Sequence, residues 1–236
     1  MAVRGQLPET VILTGAGVSA ESGLGTFRDV GGIWSQYALE DVATPEGYAR
    51  DPELVLSFYN ARRANALAAT PNPAHDALAR LLKAKAGEVV LITQNIDDLH
   101  ERAGSEGVLH MHGELLRGLC TICGARCDWR QDMHVSDACP SCGGVGGMRP
   151  DVVWFGEIPY FLEEIATMLQ NCRQFVAIGT SGSVYPAAGF VAEARAHGAE
   201  TLEINLERSE VSSAFERRIL GPASETVPEW VESLLN

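Results

Sequence analysis

The chain has 236 residues, 46% hydrophobic and 21% charged, the balance of a folded globular protein rather than a disordered one. At this length it can bury roughly 70% of the surface its unfolded form exposes, so a large core with a smaller appendage needs no disulfides. Lys and Arg total 18 against 31 Asp and Glu, and the net charge of −13 opposes general binding to nucleic-acid phosphates or anionic lipid.

No uncharged apolar run approaches the roughly 18 residues that span a bilayer, which argues against membrane insertion. Met1 to Glu9 shows no apolar stretch before a small-residue cleavage site. The expected compartment is therefore the cytoplasm. Cysteines there read as metal ligands or free thiols before disulfides.

In chain order, Thr10–Leu13 reads as a strand that runs into Gly15-Ala16-Gly17-Val18-Ser19-Ala20. The spacing fits GxGxxA, whose glycines allow a tight turn and whose following helix offers N–H groups to a pyrophosphate. An ordinary strand-to-helix turn has the same composition. Ser22-Gly23-Leu24-Gly25 interrupts that helix, and no acidic second strand follows as it would in a dehydrogenase. Residues 31–85 are helical with no strand. Pro52–Ala69 opens with a proline after Asp51, a helix-start signature, and Pro73–Ala84 follows. Tyr59 and Arg62 share one face of the first of these helices. They suit a small carboxylate, or are a half-buried phenol beside a solvated arginine.

Glu88–Thr93 reads as a nearly continuous apolar strand, as in a parallel sheet covered on both faces. It leads into Gln94-Asn95-Ile96-Asp97, an amide and a carboxylate at a sheet edge. These residues either bind ribose hydroxyls and a carboxamide or cap the next helix. Val108–His110 is a third strand, ending in His110-Met111-His112-Gly113-Glu114. Residues two apart on a strand share a face, so both imidazoles are expected to point the same way. A histidine there is a general base or a structural group.

Residues 118–148 hold five of the six cysteines. Cys120-x2-Cys123 and Cys139-x2-Cys142 are two knuckles that close a four-thiolate zinc site with no open position, hence a structural one. Disulfides are the other reading. His134 offers an alternative ligand, and Cys127 and Cys172 lack partners at ligand spacing. Helices are expected at Ile158–Gln170, Pro186–His197 and Pro228–Leu235, and strands at Gln174–Ile178 and Thr201–Ile204.

This alternation predicts an α/β fold, a Rossmann-like doubly wound parallel sheet with a smaller lobe. Residues 1–30, 86–116 and 149–236 form the large domain. The helical insertion 31–85 and the zinc-binding module 117–148 form the small one, and a cleft between lobes is the expected ligand site.

Taken together, the motifs resemble the sirtuins, NAD-dependent protein-lysine deacylases. The matching blocks are Gly15 to Arg28, Gln94 to Asp97, His110 to Gly113, the four zinc cysteines, Asp151 to Glu157, Gly179 to Ser181 and Asn205 to Glu207, in family order. Tyr59, Arg62 and the string Arg149 to Glu157 resemble the class that removes succinyl, malonyl and glutaryl groups, with acetyl also possible. The resemblance implies that NAD+ is a consumed co-substrate and one Zn2+ is structural. Gly15, Ala16 and Gly17 would hold phosphates with Thr180 and Ser181 nearby, and Ser19, Ala20 and Gly179 would also bind the cofactor. Phe27 would shield the reactive ribose, Arg28 would support that loop, and Trp34 would also bind the cofactor. Gln94, Asn95, Ile96 and Asp97 would hold ribose, water and carboxamide. Asn205, Leu206, Glu207 and Ala223 would contact the adenosine.

The resemblance also implies a course for the reaction. The acyl oxygen attacks the anomeric carbon and nicotinamide leaves. His112 then acts as base through the ribose hydroxyls, with Asn95 assisting, so that the 2′-oxygen attacks the resulting intermediate, and water completes the release of lysine and 2′-O-acyl-ADP-ribose. Val152, Val153, Trp154 and Phe155 would take an acyl-lysine protein substrate as an added strand. No nucleic-acid or membrane partner is expected, and a monomer is favoured. Gly25 departs from the proline many of the family carry. Two other readings remain, mono-ADP-ribosyl transfer and an NAD-sensing zinc-ribbon regulator.

Overall fold

The computed structural model describes residues 7–25 and 37–236. Phe27, Arg28 and Trp34 lie outside the described residues. The first strand, β1, is Thr10–Thr14. Helices α1 (Leu39–Val42), α2 (Pro45–Arg50), α3 (Pro52–Ala68) and α4 (Pro73–Ala84) precede β2 (Val89–Thr93). Next come α5 (Leu99–Arg102), β3 (Leu109–His110), β4 (Gly113–Cys120), β5 (Arg126–Asp128) and β6 (Met148–Val152). The chain closes through α6 (Leu162–Leu169), β7 (Gln174–Ile178), α7 (Phe190–Ala196), β8 (Glu200–Asn205), β9 (Arg217–Leu220) and α8 (Ala223–Leu235). No helix among the described residues is long and apolar enough to cross a membrane.

The large sheet has six parallel strands in the order β3-β2-β1-β7-β8-β9. Strand order reverses between β1 and β7, which opens a crevice beyond their carboxyl ends. Both faces are covered, and period-two alternation sorts the side chains. Val11, Leu13, Ile92, Phe175 and Ala177 turn toward α6 and α7. Ile12, Leu91, Val176, Ile178, Leu202 and Ile204 turn toward α4 and α8. Each fully buried aliphatic side chain contributes roughly 1.5–3 kcal/mol, so the apolar runs that mark these strands also drive their burial.

The small lobe is built around an antiparallel sheet in the order β5-β4-β6, with a register shift between Glu114 and Gly118. Neither β4 nor β6 is among the strands expected from sequence, because the adjacent Leu115 and Leu116 and that shift break the alternation of β4. The sheet also crosses the expected domain limits at 116 and 149. Helix α4, which the sequence reading places in the insertion, packs instead on the large sheet and α8 through Ala74, Ala77, Leu78 and Leu81. Its start is set by Pro73 and by a capping box in which Asn72 and His75 bond reciprocally.

Four expected helices differ at their starts, and the one expected from Pro186 opens as a 3-10 turn over Ala187–Gly189 before α7 begins at Phe190. No regular helix follows Gly15; the chain makes short 3-10 turns over Ala16–Val18 and Ala20–Ser22. Helix α6 begins at Leu162 rather than Ile158, because Phe161 adopts φ 62 and Tyr160 N–H is taken by the Met111 carbonyl at 2.9 Å. Helix α8 begins before Pro228 and contains it. The lost backbone bond is offset by burial of Val227, Trp230 and Val231 against α4 and the sheet.

Candidate active site

The carboxyl ends of β1 and β7 meet almost backbone to backbone. Gly15 N–H donates to the Ile178 carbonyl at 3.0 Å, and Gly17 N–H to the Gly179 carbonyl at 2.8 Å. A Cβ on Gly15 would sit 2.8 Å from the Gly179 oxygen, and one on Gly17 would sit 2.8 Å from Gly179 Cα. The first duty of these glycines is thus to let two chain segments touch. Ala16 and Ala20 lie on the turns that follow, and Ser19 is buried between those turns.

The end of β2 brings Asn95 and Asp97 onto this turn. Asn95 Nδ2 donates to the Gly15 carbonyl at 3.2 Å and to Ser19 Oγ at 3.1 Å, and its backbone N–H donates to Thr93 Oγ1. Ser19 Oγ donates to Asp97 Oδ2 at 3.3 Å, while Asp97 Oδ1 accepts from Leu99 N–H at 3.1 Å. Asp97 therefore both caps α5 and braces the glycine turn, whereas the Asn95 amide faces the turn. Burial pushes the Asp97 carboxyl up, opposed by the Leu99 N–H, His110 and Ser19. Beneath them, His75 Nδ1 accepts from Asn72 N–H, so its Nε2–H faces Ser19 Oγ at 3.4 Å. Thr14 donates to Thr93 Oγ1 at 2.9 Å and takes the His100 Nε2–H at 3.0 Å. Burial lowers His75 to about 4 and takes His100 well below the ordinary histidine range.

His110 and His112 reach neighbouring carbonyls. His110 Nδ1 lies 3.0 Å from the Asn95 carbonyl, and His112 Nδ1 lies 3.1 Å from that of Gln94. His112 stands past the end of β3, on the turn into β4, rather than on the strand. Its Nδ1 must carry the proton given to Gln94, leaving the lone pair on Nε2. Burial lowers the His112 pKa against the Gln94 bond, so the ring is neutral near pH 7.

Asp51 caps α3 through the Leu54 N–H at 3.0 Å, and this helix presents Tyr59 and Arg62 one turn apart. Tyr59 is buried and accepts the Trp154 indole N–H at 3.0 Å. The Arg62 guanidinium lies 5.6 Å from the Tyr59 ring centre. Burial draws its pKa down, with Tyr59 and Asp97 opposing, which places it within reach of the Asp97 field. Arg63, the next residue, points the other way and ties α3 to the Leu115 carbonyl at 3.2 Å.

Trp154 is itself held. Arg149 grips Glu157 with bonds of 2.7 and 2.9 Å and lays its guanidinium 3.4 Å from the Trp154 ring centre. The N–H groups of Val153, Trp154 and Phe155 donate to His112, Glu157 and Ala43. An added peptide strand thus gains no donor from these three residues, and the Val152 carbonyl is taken by Arg149 at 2.8 Å. Phe155 is exposed beside them. At the far end of the crevice, Asn205 Nδ2 donates to the Thr180 carbonyl at 2.7 Å and Gly221 N–H donates to the Asn205 carbonyl. Ser181 is partly buried after Gly179, Leu206 and Glu207 are exposed, and Ala223 opens α8. Glu101, His75 and His100 lie in none of the motifs read from the sequence, and Arg149 and Glu157 enter there only as the ends of the string that resembles the acidic-acyl class.

The four cysteines come together in the small lobe, with their Sγ atoms all within 4.8 Å of one another. Cys120 to Cys142 is 3.9 Å and Cys123 to Cys139 is 3.8 Å. Sulfurs about 2.3 Å from one zinc at tetrahedral angles stand roughly 3.8 Å apart, so the thiols fit that ion. Both knuckles close alike, Gly124 N–H on the Cys120 carbonyl and Gly143 N–H on that of Cys139, each at 2.8 Å. Backbone N–H groups of Cys142 and Ser141 bring the Cys139 thiol down, while burial and the neighbouring thiols push that of Cys123 up, as four sulfurs crowded into one small site share their protons. His134, Cys127 and Cys172 are not in the cluster.

Comparison with known proteins agrees with this geometry. The Sir2 family model matches residues 15–186. An NAD-dependent protein deacylase of Caulobacter vibrioides is 58% identical over 227 residues, covering 95% of each chain. The NAD-dependent protein deacylase SIR2rp3 of Leishmania major is 53% identical, covering 95% of this chain and 94% of its own. Among solved structures, a Sir2 homologue–NAD complex superposes with a TM-score of 0.87 at 38% identity, covering 96% of this chain and 89% of that one. A Sir2 complex with a deacetylated p53 peptide and 3′-O-acetyl-ADP-ribose superposes at 0.83 and 29% identity, over 95% and 92% of the two chains. The crevice at the strand-order reversal, the thiol cluster and these matches lead to one conclusion: the chain belongs to the Sir2 family.

Proposed function

We propose that this protein is an NAD-dependent protein deacylase that prefers lysines carrying short acidic acyl groups, succinyl, malonyl or glutaryl, over acetyl. The observation that carries the preference is the Tyr59–Arg62 pair, a buried phenol and a desolvated guanidinium one turn apart on α3. A carboxylate meeting such a cation gains charge-assisted hydrogen bonds of roughly 1.5–3 kcal/mol, and a neutral acetyl group gains none.

Gly15, Ala16, Gly17, Ser19 and Ala20, with Gly179, Thr180 and Ser181, line the crevice as a pyrophosphate cradle. Asn205, Leu206, Glu207 and Ala223 lie at its adenosine end. Family resemblance assigns Phe27 to the reactive ribose, Arg28 to the loop that carries it, and Trp34 to the cofactor. NAD, when bound, supplies an electrophilic anomeric carbon to the acyl oxygen. Asn95 has its amide hydrogens committed to Gly15 and Ser19, which leaves Oδ1 to accept a ribose hydroxyl or water. Asp97 and Ile96 hold the carboxamide. His112 accepts a ribose hydroxyl proton at Nε2, freeing that oxygen to attack the acyl carbon. A substrate peptide lies along Val152 to Phe155, its own N–H groups donating to that segment.

A kinetic panel of acetyl-, malonyl-, succinyl- and glutaryl-lysine peptides tests the reading. Arg62→Met should lower kcat/KM at least tenfold for succinyl-lysine and less than twofold for acetyl-lysine. Equal losses on both remove the acyl-carboxylate assignment. Nicotinamide release without lysine deacylation would point to ADP-ribosyl transfer instead.

A further inference from the structure

His110 bridges two groups that can only accept. Its Nδ1 lies 3.0 Å from the Asn95 carbonyl oxygen and its Nε2 lies 2.8 Å from Glu101 Oε1. A carbonyl and an ionised carboxylate have no hydrogen to give, so both ring nitrogens must donate. Only the imidazolium does that. We propose that His110 is a positioning residue, held as a cation between Glu101 and the Asn95 carbonyl, and that loss of its proton sets the alkaline limit of turnover.

The consequence for Asn95 follows from the bonds already described. Its backbone N–H is spent on Thr93, its amide hydrogens on Gly15 and Ser19, and its carbonyl on His110. The side chain is thereby aimed by four fixed bonds. A neutral His110 cannot keep both of its own. Either the Nε2 lone pair faces the Glu101 carboxylate, or the Nδ1 lone pair faces the Asn95 carbonyl, and each repulsion pushes on the turn that carries the site.

The charges around the ring support this state. His110 is 7% exposed and lines a cleft of about 250 Å3 at the back of the site. From α5 it is faced by Glu101 and His100, from the preceding turn by Asp97 and Asp98, and from β4 by Glu114. Arg102 and Arg130 both pair with Asp98, at 3.5 and 3.8 Å, and Arg117 pairs with Glu114 at 3.3 Å, while Asp128 lines the same cleft. The carboxylate in direct contact with the ring is Glu101. Burial alone would lower the His110 pKa, but the Glu101, Asn95 and Glu114 interactions carry it above the ordinary histidine value. His112, two residues on, is shifted the other way. Two groups shifted apart in this manner produce a bell-shaped profile, ascending as His112 loses its proton and descending as His110 does.

The inference concerns deacylation itself and is independent of the acyl preference, so it is tested with whichever acyl-lysine peptide is turned over fastest. kcat/KM for NAD is measured against pH for the wild type, Glu101→Gln and His110→Gln. A glutamine at 101 donates to the Nε2 lone pair while Nδ1–H keeps Asn95, so a neutral ring then suffices. The alkaline limb should move up by at least one pH unit in Glu101→Gln, with turnover retained. His110→Gln cannot bridge both acceptors, and its kcat/KM for NAD should fall about tenfold with most of the loss in KM. Nitrogen chemical shifts of the wild-type ring should show both nitrogens protonated at neutral pH. A Glu101→Gln profile with the wild-type alkaline limb overturns the proposal, and so does a singly protonated His110 in the wild type.

Discussion

The His75 and His100 rings lie tilted at 57° to each other with centres 4.9 Å apart, and both are fully buried. Both have folded pKa values below that of an unfolded histidine, so the unfolded chain binds more protons as pH falls. Stability is therefore complete above about pH 6.5 and is lost as pH drops toward the folded value of His75, about 4. For His75 alone the loss is on the order of 3 kcal/mol across that window. Thermal unfolding between pH 7 and 4.5 checks this. The transition temperature should fall steeply in the wild type and less steeply in His75→Gln, whose side chain has no proton to gain. Parallel slopes would show that His75 is already charged. The network belongs to the residue scale in another sense, because each of these side chains reaches the site through Ser19 or Thr14 and not through the ligand.

At the scale of elements, the junction of β1 with β7 matters most. Gly179 adopts φ 62, and a Cβ there would sit 2.5 Å from the Val18 nitrogen. Left-handed backbone costs a non-glycine residue roughly 1–2 kcal/mol, and the backbone clash adds to it. Gly198 supplies the control, since its φ is 88 with nothing within 4 Å of an added Cβ. Urea unfolding should show Gly198→Ala losing only about 1–2 kcal/mol, with Gly179→Ala losing clearly more or failing to fold. Similar losses at both positions would mean that the close approach of the two turns is relaxed in solution. The same junction explains why short 3-10 turns, not a long helix, follow Gly15: the Asn95 and Asn72 amides donate to the Gly15 and Val18 carbonyls in place of helical N–H groups, while Asp97 and His75 hold the Ser19 hydroxyl.

For the whole molecule, the two sheets differ in what holds them. The parallel sheet is covered by apolar helices on both faces, whereas the module beside the thiols has a small core of Leu56, Cys120, Trp129, Met133, Cys139 and Met148. A cluster of that size rarely holds a segment together without a staple. Removing zinc with a chelator should unfold the 117–148 region while the amides of β1, β2, β7 and β8 keep their hydrogen-exchange protection. Because β4 and β6 also carry the approach to Trp154 and His112, activity should be lost in parallel. Retention of both activity and protection in β4 after complete metal removal would make the thiols dispensable.

The sequence by itself determined the parallel sheet, since uninterrupted apolar runs such as Val89–Thr93 and Gln174–Ile178 have no stable place except between two covered faces. It also determined the four-thiol site, because paired knuckles leave a metal few other partners. Helices α3 and α4 were legible from Asp51, Pro52 and Pro73, while the capping box of Asn72 with His75 emerged only with the fold. Tertiary structure decided what distance along the chain conceals. The allegiance of α4 to the large sheet, the bulged β4, and the grip of Arg149 and Glu157 on Trp154 all rest on contacts between remote segments. So do the opposite pKa shifts of His110 and His112. Each ring reaches a carbonyl of the same dipeptide, and only the fold gives one of them a carboxylate and leaves the other buried without one.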